Sequence, residues 1–401
     1  PWVLLPVILA LRGAAGAARP RRLLFATANP PYLDKTNANV VHAALALDPG
    51  ALALDVVGSV RSGIGALVLA AESSTPTLAV LADVRTGLPG GADERDGGDA
   101  ATAFLFGDGA PAIAEVVAQA SATQEFLDRW RLPGAVASRV WEERFGEHAY
   151  GPLADAAFAA ALKQAGLTPS HVDVLVVAGT HGRALRAFAH GAGVAAVADD
   201  LTAVVGNTGT AHPGLVLANV LDEAEPGQTI ALVVLADGAT AVVLRTTDAI
   251  ASYQRSSRVA GQIAAGDDSL RYASFLTWRG LLTREPPRRP DPVGPAAPPS
   301  LRSAGYKYGF VAHRCTGCGT VHLPAVRVCV ECKAIDHMVE VPMADVTGSV
   351  ATYTIDHLAF SPSPPVVAAV VDFDGGGRFS CQLTDVDPDA VAIGDRVEMT
   401  F

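Results

Sequence analysis

Continuous apolar runs, small-residue turns and Ala/Leu-rich stretches alternate along the first 250 residues. Thr77–Val84 (TLAVLADV) and Thr229–Ala236 (TIALVVLA) are apolar almost throughout, as expected of strands covered on both faces. Leu153–Ala165 is Ala- and Leu-rich and predicts a helix. The order of these segments predicts strand, helix, strand, helix, strand, strand, and then the same series again. The letters themselves repeat, in the same order. Arg21–Pro31 (RRLLFATANPP) matches Val172–Gly182 (VDVLVVAGTHG), and Gly58–Ala70 (GSVRSGIGALVLA) matches Gly206–Ala218 (GNTGTAHPGLVLA). Gly98–Phe106 (GDAATAFLF) matches Ala236–Leu244 (ADGATAVVL). Two such α/β halves predict one layered domain over about residues 1–250.

Beyond residue 250 the pattern changes. Tyr272–Leu282 has helical apolar spacing and predicts an amphipathic helix that docks on a neighbour. Arg284–Ser300 (REPPRRPDPVGPAAPPS) reads as a semi-extended linker. Cys315, Cys318, Cys329 and Cys332 then form two C-x2-C pairs, a spacing that places four thiolates around one structural Zn²⁺ with no open coordination position. Short alternating segments follow, at Gly348–Asp356, Val366–Asp374, Arg378–Asp385 and Asp395–Phe401, with Gly- and Pro-rich turns between them. They predict a small OB-like barrel. Cys381 lies in one of these strands and reads as a packing residue.

The chain has 401 residues and a formal net charge of −11. Phosphate backbones are bound by clustered Lys and Arg, so this balance argues against a nucleic-acid partner, even for an OB barrel beside a zinc ribbon. The apolar run Trp2–Leu11 stops at Arg12, short of the ~20 residues that span a bilayer, and its basic cluster follows it. A buried element is expected there, in a cytoplasmic protein with no membrane partner. The Ala, Gly and Val bias suggests a bacterial source. The start at Pro1 suggests that flanking residues are missing.

The small-residue turn at Gly58–Gly63, "GTH" at Gly179–His181, Gly206–Gln228 and the two glycine–aspartate strands resemble the thiolase superfamily, most of all its ketoacyl-synthase III and hydroxymethylglutaryl-CoA synthase branch. The resemblance implies a duplicated layered α/β fold, a homodimer and acyl-CoA substrates. In that family the turn carries a Cys at a helix N-terminus, where the exposed N–H groups favour a thiolate that takes an acyl group. Here Val60 stands at that position, and Ala28 stands where the synthase branch has an acid/base Glu. The family's His and Asn, which stabilise a thioester oxyanion, correspond to His181 and Asn207. "YKYGFVAHRCTGCG" and "VAIGDRVEM" resemble the rubredoxin-like zinc-ribbon/OB family associated with acyl-CoA enzymes, which implies a thiolase-like partner subunit within a hetero-oligomer.

Each candidate has a second reading. His181 is either catalytic or a strand cap; Asn207 is either a pocket residue or a turn former. His212 is either a replacement acid/base or a structural histidine. Tyr32 and Asp34 could supply a phenol or a carboxylate, or simply pack and solvate a loop. Ser59 has no identifiable base. Arg61, Arg85 and Arg95 could meet CoA phosphates, with solvated surface arginine as the default, and Arg85–Ala101 reads as a long Gly-rich connection. No Cys lies in the first 250 residues.

The expected organisation is a thiolase-like N-terminal half over 1–150 and a C-terminal half over 151–250. A docking helix and linker cover 251–305, a zinc ribbon 306–340 and an OB-fold 341–401. The expected activity is carbon–carbon bond formation or cleavage on an acyl-CoA thioester, with His181, Asn207 and His212 as catalytic candidates and zinc as a structural metal. A non-catalytic scaffold for a partner thiolase, and a Cys-independent acyl-CoA aldolase, are the alternatives.

Overall fold

The structure is a computed structural model. It describes residues 19–107, 111–253, 257–285, 293–361 and 363–400, apart from the side chain of Glu143. The run Trp2–Leu11 lies outside them. Two compact units are present: residues up to His42 with Leu47–Gly266, and Ala43–Ala46 with Asp267–Phe401.

The first unit holds two four-stranded sheets. In one, β1 (Arg22–Thr27) lies between β2 (Leu52–Val57) and β3 (Thr77–Asp83), all parallel, and β4 (Ala100–Phe106) runs antiparallel beside β3. The other is built from β5 (Ala114–Ala122), β8 (Val174–Gly179), β9 (Thr229–Leu235) and β10 (Ala239–Thr246), in the order β5-β10-β9-β8, while β6 (Arg129–Trp130) and β7 (Arg139–Val140) pair as a short separate ribbon. β8 and β9 are parallel, and β10 is antiparallel to both β9 and β5. The order β1-β3-β4 in one sheet thus reappears as β8-β9-β10 in the other, which is the duplication seen in the letters.

Helices α1 (Ala38–Ala44) and α2 (Arg61–Ala71) belong to the first half; α3 (Glu143–Ala165), α4 (Gly182–Gly191) and α5 (His212–Glu223) belong to the second. Equivalent helices α2 and α5 share one core with both sheets: Ile64 and Leu67 from α2, Val216, Leu217 and Leu221 from α5, Leu24, Ala79 and Leu81 from one sheet, and Val176, Leu232 and Val234 from the other. Burying each large aliphatic side chain here is worth about 1.5–3 kcal/mol. Ala231, Val233 and Leu235 point the opposite way along β9, into a second core with Tyr150, Phe158 and Leu162 of α3 and Phe188 of α4. β9 is therefore buried along its whole length, as its unbroken apolar run requires. Gly63 brings α2 so near the backbone of Thr210 that a side chain would overlap its carbonyl.

Several expectations are corrected. The apolar stretch Leu52–Val57 ends in the small-residue turn and suits a buried strand, yet Leu52, Leu54 and Val57 are exposed, because β2 is an edge strand. The strand expected in the second half opposite β2 is reduced to a single bridge, Leu175 to Val197. The connection Arg85–Ala101 contains a helical turn, Ala92–Arg95, and touches Asn207 through Gly97.

The second unit begins with α6 (Tyr272–Trp278), which stops short of the predicted end at Leu282 and has no buried residue. Part of the Pro-rich linker is helical: α7 (Ala297–Arg302) starts with prolines in its first turn, where a missing N–H costs nothing. After α8 (Ala304–Gly309) come β11 (Val311–Cys315), β12 (Val321–His322) and β13 (Met338–Pro342), in the order β12-β11-β13. A four-stranded antiparallel sheet follows, from β14 (Gly348–Asp356), β15 (Val366–Phe373), β16 (Arg378–Leu383) and β17 (Arg396–Val397). β17 is only two residues long, shorter than Asp395–Phe401 predicted. Phe310, Ala312 and Val321 of the ribbon pack with Val350, Ala369, Val371 and Phe373 of this sheet. The second unit is a zinc ribbon with an OB-fold, and the first is thiolase-like.

Candidate functional site

The site-bearing residues of the first unit gather where strands end and helices begin. β2 passes into α2 through Gly58, whose φ of 129° suits glycine. Val60 follows as the buried residue before α2, so an isopropyl group stands where a nucleophile was sought. Ser59 Oγ accepts the N–H of Arg61 at 3.3 Å. The Arg61 guanidinium donates to the carbonyl of Asp237 and, at 2.8 Å, to Thr123 Oγ1. This arginine ties the elbow to the β9–β10 turn.

At the end of β1, Ala28 donates its N–H to Asp83 Oδ1 at 2.7 Å. Asp83 is buried and also accepts from the Thr27 hydroxyl and the Thr210 N–H, each at 2.7 Å. Three donors account for its charge without a free oxygen. Arg85 lies 3.9 Å from it and is not a solvated surface residue: its side chain is only 16% exposed. Burial, then the charge of Arg129, pushes its pKa down. Arg131 reaches the Ala28 carbonyl at 3.1 Å and Asn29 Oδ1 at 2.9 Å, which fills the ground near the missing Glu with a cation. Arg95 is exposed and bound to Asp96, and Tyr32 is exposed.

His181 is buried and forms the N-cap of α4. Its Nδ1 accepts the Ala184 N–H at 3.2 Å. An imidazole nitrogen that accepts carries no proton, so neutral His181 has its hydrogen on Nε2. Its ring lies 5.9 Å from that of Tyr150. Asn207 is linked to the same strand end, since its amide donates to the Gly179 carbonyl at 2.6 Å. Its Oδ1 accepts the Gly209 N–H at 3.0 Å, so both ends of the side chain hold backbone. His212 is buried, and its Nδ1 meets the Thr208 N–H at 3.3 Å and hydroxyl at 3.2 Å. Burial lowers its pKa and Arg85 adds to that, although Asp200 opposes it. His181 and Asn207 are thus joined through Gly179, while the His212 ring is spent on Thr208.

Asp128 and Tyr150 escaped the sequence reading. Both are buried, and nothing in "FLDRW" or "GEHAYG" marks them as different from packing residues. Tyr150 oxygen accepts the Asp237 N–H at 3.3 Å. Burial first, then the charge of Asp128, pushes its phenol pKa strongly upward.

In the second unit the four ribbon sulfurs lie within 4.8 Å of one another. Cys315 to Cys332 and Cys318 to Cys329 are each 3.5 Å, and all four are free thiols. Each knuckle closes with a backbone bond, Gly319 N–H to the Cys315 carbonyl at 2.8 Å and Lys333 N–H to that of Cys329 at 3.1 Å. The Thr320 hydroxyl and N–H bring the Cys318 thiol down to about 6. Four soft donors in a closed set fit a tetrahedral structural zinc.

The family profile described as the ChsH2 rubredoxin-like zinc ribbon domain matches residues 302–335, and that of the ChsH2 C-terminal OB-fold domain matches 340–401. A DUF35 domain-containing scaffold protein of Methanocaldococcus jannaschii is 32% identical over 105 residues, covering 25% of this chain and 74% of the relative. A hydroxymethylglutaryl-CoA synthase of Caldivirga maquilingensis is 27% identical over 271 residues, covering 64% of this chain and 76% of that enzyme. Among solved structures, 3-oxoacyl-(acyl carrier protein) synthase III of Pseudomonas aeruginosa PAO1 superposes with a TM-score of 0.52 at 23% identity, over 61% of this chain and 82% of that one. Among the described residues no helix is long and apolar enough to cross a membrane.

Proposed function

We propose, from the premise that the chain belongs through a quarter of its length to the family of DUF35 domain-containing scaffold proteins, that its larger, hydroxymethylglutaryl-CoA synthase-like unit makes or breaks carbon–carbon bonds in acyl-CoA thioesters without forming an acyl-enzyme of its own. The observation that carries this is the pairing of Val60 at the elbow with a His181 whose proton is fixed on Nε2. Valine offers no nucleophile. An Nε2–H that exchanges its resting contact for a thioester oxygen would make a bond that strengthens as the oxygen gains enolate charge. Aldol, retro-aldol and decarboxylation steps need such a donor and no covalent intermediate. Asn207 holds the Gly179 carbonyl and so fixes the strand end from which His181 emerges.

Zinc, held by Cys315, Cys318, Cys329 and Cys332, supplies folding energy to the second unit and leaves no coordination position for chemistry. That unit would sit beside a thiolase-like subunit in a hetero-oligomer of homodimers and shape its CoA-thioester path. The second reading, a non-catalytic scaffold that hands intermediates to a partner thiolase, is favoured by Val60, by Ala28 and by the printed name of the archaeal relatives.

Intact-mass spectrometry after incubation with acyl-CoA tests the first claim. No acyl adduct is expected on residues 1–250, while thioester turnover is expected alone or with a thiolase-like subunit. A stable adduct on Ser59 would revive nucleophilic catalysis and sink this reading.

A further inference from the structure

We propose that Arg85, with the charge of Arg131 beside it, seats a free carboxylate at the far end of the acyl group, so that the thioesters taken are monothioesters of dicarboxylic acids. The inference rests on the acyl-CoA reading above and names the substrate class of that same site.

The first observation is a surplus of positive charge. Arg85, Arg129 of β6 and Arg131 lie close enough to act on one another, and the carboxylates that act on Arg85 with them are Asp83 and Asp93. Three cations thus face two anions, and both anions are engaged. Asp93 holds Arg129 at 2.7 Å, and Asp83 accepts from the Thr27 hydroxyl and from the N–H groups of Ala28 and Thr210. Arg131 meets only neutral oxygens, those of Thr86 at 2.7 Å, Asn29 at 2.9 Å and Ala28 at 3.1 Å. One positive charge is left over in ground that is mostly covered.

The second observation is Arg85 itself. Its side chain is 16% exposed, and Asp83 Oδ2 at 3.9 Å is too far for a hydrogen bond. A guanidinium carries five donors, and a covered one is normally spent on acceptors. The Arg85 guanidinium makes no hydrogen bond among the described residues, and its nitrogens are not sealed from solvent. Burial and the charge of Arg129 act against its ionised form and push its pKa down. An incoming anion supplies the compensation that the resting chain leaves out. A planar fork of free donors in positive surroundings pairs with the two oxygens of a carboxylate.

Position and charge select the source of that anion. Arg85 Nη1 lies against Gly209, where a Cβ would stand 2.9 Å from it. Gly209 in turn donates its N–H to Asn207, and the Arg85 charge is felt by His212. Arg131 holds the Ala28 carbonyl just past the end of β1. The seat therefore lies among the strand ends where the acyl-site candidates gather. One surplus charge matches a single carboxylate, whereas a phosphate monoester carries about two negative charges at neutral pH.

Titration calorimetry on the full-length zinc-loaded protein tests this. Malonyl-, glutaryl- and adipyl-CoA are compared with butyryl-, hexanoyl- and heptanoyl-CoA, which match them in length and carry the same CoA phosphates. At least one carboxylated thioester is expected to bind ~10-fold or more tightly than its uncharged counterpart. Arg85→Gln is expected to abolish that preference, with the affinity for uncharged acyl-CoA, zinc content and circular dichroism little changed, because Arg85 holds no hydrogen bond for the fold to lose. Arg85→Lys keeps the charge without the fork and is expected to recover part of the preference. Arg95→Gln, at an exposed arginine already bound to Asp96, is expected to change nothing. A preference that survives Arg85→Gln overturns the proposal. A loss of affinity by one common factor for every acyl-CoA puts a CoA phosphate in the seat and overturns it too. Equal affinity for charged and uncharged tails in the unaltered protein removes the carboxylate seat and leaves the acyl-CoA reading standing, whereas no acyl-CoA binding at all removes both.

Discussion

His212 is held neutral by its surroundings, and that has a consequence for stability. Burial is the main cause of its lowered pKa, and the Arg85 charge acts in the same direction. Below its ordinary value of 6.5 the unfolded chain takes up a proton that the folded chain resists. The unfolded state then binds more protons, so stability rises with pH in this window. The contribution is whole above pH 6.5 and is lost as pH falls from there toward the folded pKa. Urea unfolding of the first unit between pH 5 and 8 should show this acid limb, and His212→Gln should flatten it. An unchanged limb would mean that other groups set the acid sensitivity. The same scale shows what letters hide. Arg85 looked like any loop arginine, yet it lies beside Asp83 with most of its side chain covered. Asp128 and Tyr150 carried no spacing signal, because segments remote in sequence bring them beside His181.

Elements with a strong local period were legible before the fold was known. The unbroken apolar runs became β3 and β9, each buried at every position, and the repeated letters became equivalent strands in two sheets. The two C-x2-C pairs became a compact cluster of sulfurs. Elements set by position in a sheet were not legible. Nothing in Leu52–Val57 says that β2 lies at an edge, and nothing near Val197 says that only one bridge forms. The ribbon gives the element-scale prediction. Structural zinc contributes on the order of 10 kcal/mol of folding energy to such small modules. Metal analysis should give about one zinc per chain. Replacing Cys315 and Cys329, both buried, by Ser should remove it and unfold the ribbon together with the OB sheet that shares Phe310 and Val321 in its core. A well-folded, metal-free second unit would contradict the assignment.

At the scale of the whole molecule, the question is whether a thiolase-like unit with valine at its elbow still does chemistry or only organises a partner that does. His181 separates the two. Its backbone begins α4 and its ring accepts the Ala184 N–H, so His181→Ala costs a cap worth about 1 kcal/mol, too little to unfold a large unit. A catalytic donor to a developing oxyanion is worth about 3 kcal/mol of barrier, which corresponds to ~100-fold in rate. His181→Ala is therefore expected to lower acyl-CoA turnover of the assembled complex by ~100-fold or more, with zinc content and partner binding intact. His181→Asn supplies another N–H donor and should retain more of the rate than alanine does. A scaffold makes the opposite forecast, because the reacting carbonyl would lie in the partner's site, out of reach of this imidazole. Turnover unchanged by His181→Ala in an intact complex would assign the chemistry to the partner and leave this unit the work of holding it.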